Sequence, residues 1–378
     1  MIRILHVATV MGSGGLEKWL VDLVVEMNRG PYESHILVQS DYFGLHGQRA
    51  RQMGLSIIPI ASSRHIGKFA YDLLRILRTR GPFDVVHSHV HNLSGVVLTL
   101  AKLSGVPVRV AHGHNDDSQE YRSVFRKLYI SISRRLIYSF ASRGYGVSEE
   151  AARDLFASAY GKDKRWSVLP CGISLELFEQ NYDRSTIRSE LGLPPRSLVL
   201  AQVGRLTYMK NQDYSLRLLA QLDDPDSVLL LLGAGELEQQ YRMLAHDLGI
   251  SRRVVFAGAR SDIPRILCGA ADVFLFPSRP GEGAPIALIE AQAAGLPCIV
   301  SDHIPQASVV VPTLVEQLSL SPDLHNWVAA VRRAIAVRAA VPRQFALGLI
   351  AESPYTIAAN CRALAPIYHA TCRSPAYQ

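Results

Sequence analysis

Two doubly wound, Rossmann-like parallel-sheet domains in an α/β protein are predicted by three features of the sequence. Short apolar runs alternate with stretches of helical periodicity along the chain. Those runs are apolar at consecutive residues rather than at alternate ones. The alternation lapses once, near the middle. A strand covered by helices on both faces reads as a continuous apolar run, which is how parallel sheets differ from half-solvated antiparallel ones. With 378 residues, 48% of them hydrophobic, the chain is long enough for two full cores.

In the first half the candidate strands are RILHVATV, HILVQS, SIIPIAS, DVVHSHV, VRVAHGH and SRGYGVS. The linker is read at VLPCGISLELF (Val168 to Phe178), where Pro170 and Gly172 accompany the loss of period. LVLAQVGR, SVLLLLG, RVVFAG, DVFLFPS and PCIVSD continue the alternation in the second half. The domains then run over 1–170 and 171–352. Ligands of open α/β sheets bind beyond the carboxyl ends of the strands, so the expected site is a cleft faced by both domains.

Charged residues make up 19% of the chain and no tract is of low complexity, which argues against disorder. The five cysteines (Cys171, Cys268, Cys298, Cys361, Cys372) are widely spaced and lack a CxxC pair. They read as free thiols in a reducing compartment, with no disulfide framework and no zinc ribbon. No run approaches the roughly 18 apolar residues of a membrane span. MIRILHVATV is too short for a signal peptide and runs into a glycine-rich turn, so it is read as the first strand.

The net charge of +7 is unevenly spread: residues 1–180 hold 22 Lys and Arg against 16 Asp and Glu. The excess concentrates between Arg122 and Arg143, a stretch with six basic residues and no acid. Phe125, Leu128, Ile132, Leu136 and Phe140 recur there at helical spacing, beside Arg122, Arg126, Arg134 and Arg135. Such a helix either lies on an anionic membrane or turns its apolar side into the domain core, and the pattern leaves both open. No nucleic-acid motif is present, so nucleic acid ranks last as a partner.

The densest chemistry lies in PSRPGEGAPIALIEAQAAGLP, residues 277–297. Glu282 is expected at a helix entrance and Glu290 two turns further in, on one face of that helix. The apolar run between them packs the helix on a sheet, where two acids are costly unless polar groups meet them. A helix N-terminus at the end of a strand favours phosphate, and a carboxylate beside it suits hydroxyls, which together suggest a sugar nucleotide. Upstream, Gly204-Arg205 ends a strand and Lys210 follows in the turn. Two cations in one strand-to-helix loop suit a diphosphate. Gly12, Gly14 and Gly15 separate the first strand from the first helix, where glycine lets backbone approach a ligand.

Five histidines fall between His87 and His114, in HSHVHN and AHGHN. On its own HxHxH is a weak metal signal, because ligands must converge at fixed geometry. Two further patterns are discounted. Asp224-Pro225-Asp226 mimics a metal-binding DxD but holds a proline and reads as a polar turn. Gly233-Ala234-Gly235 begins like a dinucleotide fingerprint, yet Glu238 stands where its third glycine belongs.

The strand-PS-turn-EG-x-P-helix-AxAAGLP pattern resembles the E-x7-E signature of retaining glycosyltransferases of GT-B architecture, specifically glycosyltransferase family 4. The likeness spans Gly14 to about Ser301, and HGHN is similar to the HSHN of capsular and exopolysaccharide transferases. It implies catalytic roles for His114, Arg205, Lys210 and Glu282, with Arg205 and Lys210 on the donor diphosphate. It puts His114 against the donor sugar, Glu282 on the sugar hydroxyls and Glu290 on the ribose. Gly14 or Gly15, Gly204, Gly283, Ala284, Pro285, Ile286 and Ala287 complete the donor contacts it implies. It also implies that helices within 353–378 return to the first domain, which would bind the acceptor. The implied partners are a nucleotide diphosphate sugar and a lipid-linked oligosaccharide at the inner membrane face, with no metal or other cofactor. Cys171 replaces an asparagine and Gln306 an acid often found in the family. An epimerase or hydrolase of the same fold, or a silent nucleotide-binding partner, are the alternative readings.

Overall fold

The computed structural model describes residues 1–60, 62–114, 123–283 and 285–370. It divides the chain into two compact units, one of Met1–Gly172 joined by the segment from Ile357, the other of Ile173–Thr356.

In the first unit the strands are β1 (Ile2–Ala8), β2 (Tyr32–Val38), β3 (Ser56–Pro59), β4 (Val85–Ser88), β5 (Val108–Gly113), β6 (Arg143–Gly146) and β7 (Trp166–Val168). They form one parallel sheet in the order β3-β2-β1-β4-β5-β6-β7. The second unit has β8 (Val199–Val203), β9 (Val228–Leu232), β10 (Val254–Phe256), β11 (Val273–Phe276), β12 (Cys298–Ser301) and β13 (Val315–Leu318). Its parallel order is β10-β9-β8-β11-β12-β13. The sequence of strands reverses between β1 and β4 and again between β8 and β11. At such switch points successive loops leave in opposite directions and open a crevice at the carboxyl ends.

Central strands are buried throughout, as in VVHS of β4, VLLLL of β9 and VFLF of β11. The short edge strands β7 and β13 escaped the sequence reading. They are partly exposed and carry no apolar run, because an edge strand packs against fewer neighbours. In the first unit the C-terminal helix (Ile357–Tyr368) packs on the first helix (Gly15–Met27). The Trp19 indole donates to Asn360 Oδ1 at 2.7 Å, and the same oxygen accepts from the Gly172 amide at 2.9 Å.

The basic helix spans Val124–Phe140, and its core contacts are Ile130, Ser133 and Ile137. Of the two readings left open by spacing, the first half of the stripe faces away from the core: Phe125, Leu128 and Ile132 are 86%, 58% and 51% exposed. Arg134 is held by Asp154 of the next helix at 3.0 Å. Arg126 and Arg135 are exposed, and Arg122 lies outside the described residues.

Candidate active site

The second unit builds its site at the β8/β11 switch point. After β8 the chain turns at Gly204, whose φ of +152° is one that L side chains rarely adopt. Gly233, after β9, lies so close that a Cβ there would sit 2.0 Å from the Gly204 carbonyl oxygen. The Gly233-Ala234-Gly235 turn is thus a steric seat for the 204–206 loop. Gly233→Ala is expected to cost about 1–3 kcal/mol of stability and to weaken nucleotide binding, since backbone must shift. Urea unfolding and nucleotide titration test this, and parental values in both would remove the seat from the account.

From that loop Arg205 projects into solvent, its guanidinium without an ion-pair partner among the described residues. Lys210 Nζ meets Glu282 Oε2 at 2.5 Å and stands 4.9 Å from the centroid of the Phe276 ring. The loops of residues 204–212 and 277–283 are laced together by groups the sequence reading passed over. Asn211 adopts a left-handed backbone (φ +56°), donates to the Pro277 carbonyl at 2.9 Å and accepts from Arg279 at 2.6 Å. Arg279 also lies 3.9 Å from the Tyr208 ring centroid. Gln202 and Gln212 donate to the carbonyls of Lys210 and Arg205 at 2.7 and 2.9 Å. The KN dipeptide was the signal for Asn211, whose short polar side chain tolerates this conformation. Nothing local in the sequence marked Arg279.

Glu282 is not at the helix entrance. The helix begins at Ile286 and runs to Ala293, with Pro285 as its cap, so Glu282 lies in the preceding loop. The expectation of two acids on one helical face therefore fails: Gly281 (φ +107°) and Pro285 hold this stretch out of helical geometry. Glu290 does lie on the helix, and is only 3% exposed. Pro285 and Ile286 are buried, and the carbonyl of Pro285 accepts the first intrahelical bonds. The amides of Ile286 and Ala287 precede those bonds and have no acceptor among the described residues, as expected of a first turn. Gly283 belongs to the same loop, whereas Ala284 lies outside the described residues. Asp224 accepts from Ser227 Oγ and the Asp226 amide, a local turn.

In the first unit Gly14 caps the first helix and Gly15 opens it. His114 follows β5, 9% exposed, in ring contact with the buried His89 and His112. Its Nε2 lies 3.0 Å from His89 Nδ1 and its Nδ1 lies 3.7 Å from Cys171 Sγ. Burial, then the neighbouring His112 and His91, hold the His114 imidazole well below its ordinary pKa, so the ring is neutral. Burial raises the Cys171 thiol far above its usual range. His91 leaves the alternation of His87 and His89, with φ +46° and a 3.0 Å contact to Asp154.

Two parallel sheets with glycine-rich loops at their switch points, and a paired cation and carboxylate at one of them, define a Rossmann-like nucleotide-binding class of protein. The family described as Glycosyltransferase Family 4 matches residues 13–177, and Glycosyl transferases group 1 matches residues 183–339. EpsF of Bacillus subtilis (strain 168), named as a glycosyltransferase, is 30% identical over 97% of this chain and 96% of its own. An Escherichia coli UDP-Gal:alpha-D-GlcNAc-diphosphoundecaprenol alpha-1,3-galactosyltransferase is 32% identical over 62% of each chain. Among solved structures, Anabaena HepE in complex with UDP and glucose aligns with a TM-score of 0.80 at 19% identity, covering 98% of this chain and 100% of that one. The chain belongs to glycosyltransferase family 4, group 1, and has the GT-B fold.

Proposed function

We propose that this glycosyltransferase moves a sugar from a nucleotide diphosphate sugar to a lipid-linked saccharide, with retention at the anomeric carbon, in cell-surface polysaccharide synthesis. The observation that carries the reading is the β8/β11 loop pair, where an exposed Arg205, a Lys210–Glu282 pair and the first-turn amides of Ile286 and Ala287, which have no acceptor among the described residues, occur together. Departure of a diphosphate from a cation-like sugar needs positive charge and oriented dipoles already in place. Arg205 would grip the diphosphate bidentately, while Lys210, anchored by Glu282, keeps two further N–H donors. Glu282 then presents its remaining acceptor capacity to sugar hydroxyls. Glu290 is assigned to the ribose and His114 to the sugar by the family resemblance. No side chain is assigned as a nucleophile. A front-side route, in which the leaving phosphate takes the acceptor's proton, fits this set and requires no metal.

The donor and acceptor named for the E. coli relative, and the UDP held by HepE, support this choice of substrates. The test is nucleotide diphosphate release from a panel of sugar nucleotides, with and without a lipid extract, followed by NMR of the product. Release that depends on the extract and yields an α-linked product from an α-linked donor is the expected result. Release without acceptor would favour a hydrolase or epimerase, and binding without turnover a silent partner.

Peripheral membrane contact forms part of the same proposal. Among the described residues no single helix is long and apolar enough to cross a membrane. The exposed Phe125, Leu128 and Ile132, with Arg126, Lys127 and Arg135 beside them, form an amphipathic surface suited to an anionic bilayer. Arg134, committed to Asp154, drops out of that surface. Phe125→Glu with Leu128→Glu should abolish sedimentation with phosphatidylglycerol vesicles while leaving the unfolding midpoint unchanged. Undiminished sedimentation would remove the helix from membrane contact.

A further inference from the structure

Five buried histidines of the first unit come from three neighbouring strands and their ends. His6 on β1 is in register with His87 on β4, and His87 with Val110 on β5, two residues before His112. Side chains two apart share a sheet face, so His89 and His114 extend the same rows just beyond the strand ends. Five imidazoles thus converge, with contacting ring centroids 4.2–5.7 Å apart and the Trp19 ring packed against three of them. This is the convergence that HxHxH spacing alone could not supply.

We propose that His89, His112 and His114 form a binding site for one nitrogen-preferring divalent transition-metal ion of the zinc class. One ring nitrogen from each lies within 4.8 Å of the other two. The 3.0 Å between His89 Nδ1 and His114 Nε2 is close to the ~3.3 Å edge of a tetrahedron with Zn–N bonds of about 2.0 Å. Ligating histidines are oriented through their other nitrogen. His112 Nε2 must donate to the Leu169 carbonyl at 3.1 Å, which leaves the lone pair on Nδ1, and Nδ1 has no partner among the described residues. His89 Nε2 is held by His6 Nδ1 at 3.1 Å, and His114 Nδ1 faces Cys171 Sγ. A second triad, His6, His87 and His89, also converges, but His6 Nε2 is buried without a partner among the described residues. That triad lacks an outer anchor on one ligand. Burial keeps the rings neutral, the form that binds metal, so no proton need be expelled. An all-imidazole set disfavours magnesium and calcium, which require oxygen. A bound ion would take the ring nitrogen of His114 and so inhibit transfer; that consequence alone rests on the proposed role of His114.

The experiment is cobalt(II) titration of the full chain after chelator treatment, read by visible d–d absorption and competed with zinc. One cobalt per chain is expected, with binding at least 10-fold weaker in His89→Gln and His112→Gln and unaltered in His87→Gln. Replacing the exposed His246, His303 and His325 should leave the band intact. Loss in His87→Gln but not in His112→Gln, or a band that vanishes with the exposed histidines, would overturn the assignment. If the buried variants do not fold, X-ray absorption of the cobalt-loaded parent decides: three imidazole ligands support the site, and fewer refute it. Cobalt binding without inhibition by zinc would uphold the site and count against the role given to His114.

Discussion

Arg205→Ala is expected to lower turnover by 10²- to 10³-fold while leaving the unfolding free energy within about 0.5 kcal/mol of the parent. The guanidinium is exposed and unpaired among the described residues, so its removal breaks no contact of the fold. What it removes is charge aimed at the departing diphosphate, worth about 3–4 kcal/mol in the transition state. Lys210→Ala should slow turnover similarly but also destabilise the protein by about 1–3 kcal/mol. Its ammonium is the partner of Glu282, whose side chain is only 11% exposed and would be left as an unmatched acid. Glu282→Gln in the Lys210→Ala background should recover stability and not turnover. Steady-state nucleotide release and urea unfolding read the two quantities separately. Parental turnover in Arg205→Ala would end the diphosphate assignment.

The second large effect is on stability at acid pH. Burial, followed by the neighbouring His112, lowers the pKa of His6 to about 3, and burial lowers that of His112 to about 3. His87, His89 and His114 are pushed in the same direction, again chiefly by burial. Unfolded histidine titrates near 6.5, so below that pH the unfolded chain binds protons that the native cluster refuses. Stability is therefore full above about pH 7 and falls as pH drops through 6.5, with the loss continuing towards pH 3. Each histidine that stays neutral contributes about 1.4 kcal/mol per pH unit, or about 2 kcal/mol by pH 5. With several such groups, the first unit is expected to unfold cooperatively in mild acid. Urea midpoints between pH 7.5 and 5, taken in chelator so that no cation competes, test this. A midpoint flat to pH 5, with loss only in the carboxylate range near pH 4, would contradict it.

Much of this was legible in the sequence. Central strands such as VLLLL and VFLF announce themselves because parallel sheets bury both faces. Their edges do not, which is why Trp166–Val168 and Val315–Leu318 went unseen. The Gly204, Arg205 and Lys210 loop was readable because its cations follow a strand directly. The Asn211–Arg279 bond that pins this loop joins residues 68 apart, and no local pattern encodes such a contact. Periodicity misplaced Glu282 because a glycine and a proline keep the chain out of helix before Ile286, and it left the direction of the Phe125 stripe open because spacing has no sense of which side the core lies on.

By itself, then, the sequence determined the family, the parallel α/β class and the residue types at the β8/β11 loops, since these depend on local composition and short spacing. Tertiary structure decided that Lys210 pairs with Glu282, that Gly233 seats the Gly204 turn, and that histidines from β1 and from the ends of β4 and β5 form one buried cluster. Those outcomes follow from strand register and close backbone approach, which exist only once distant segments are paired.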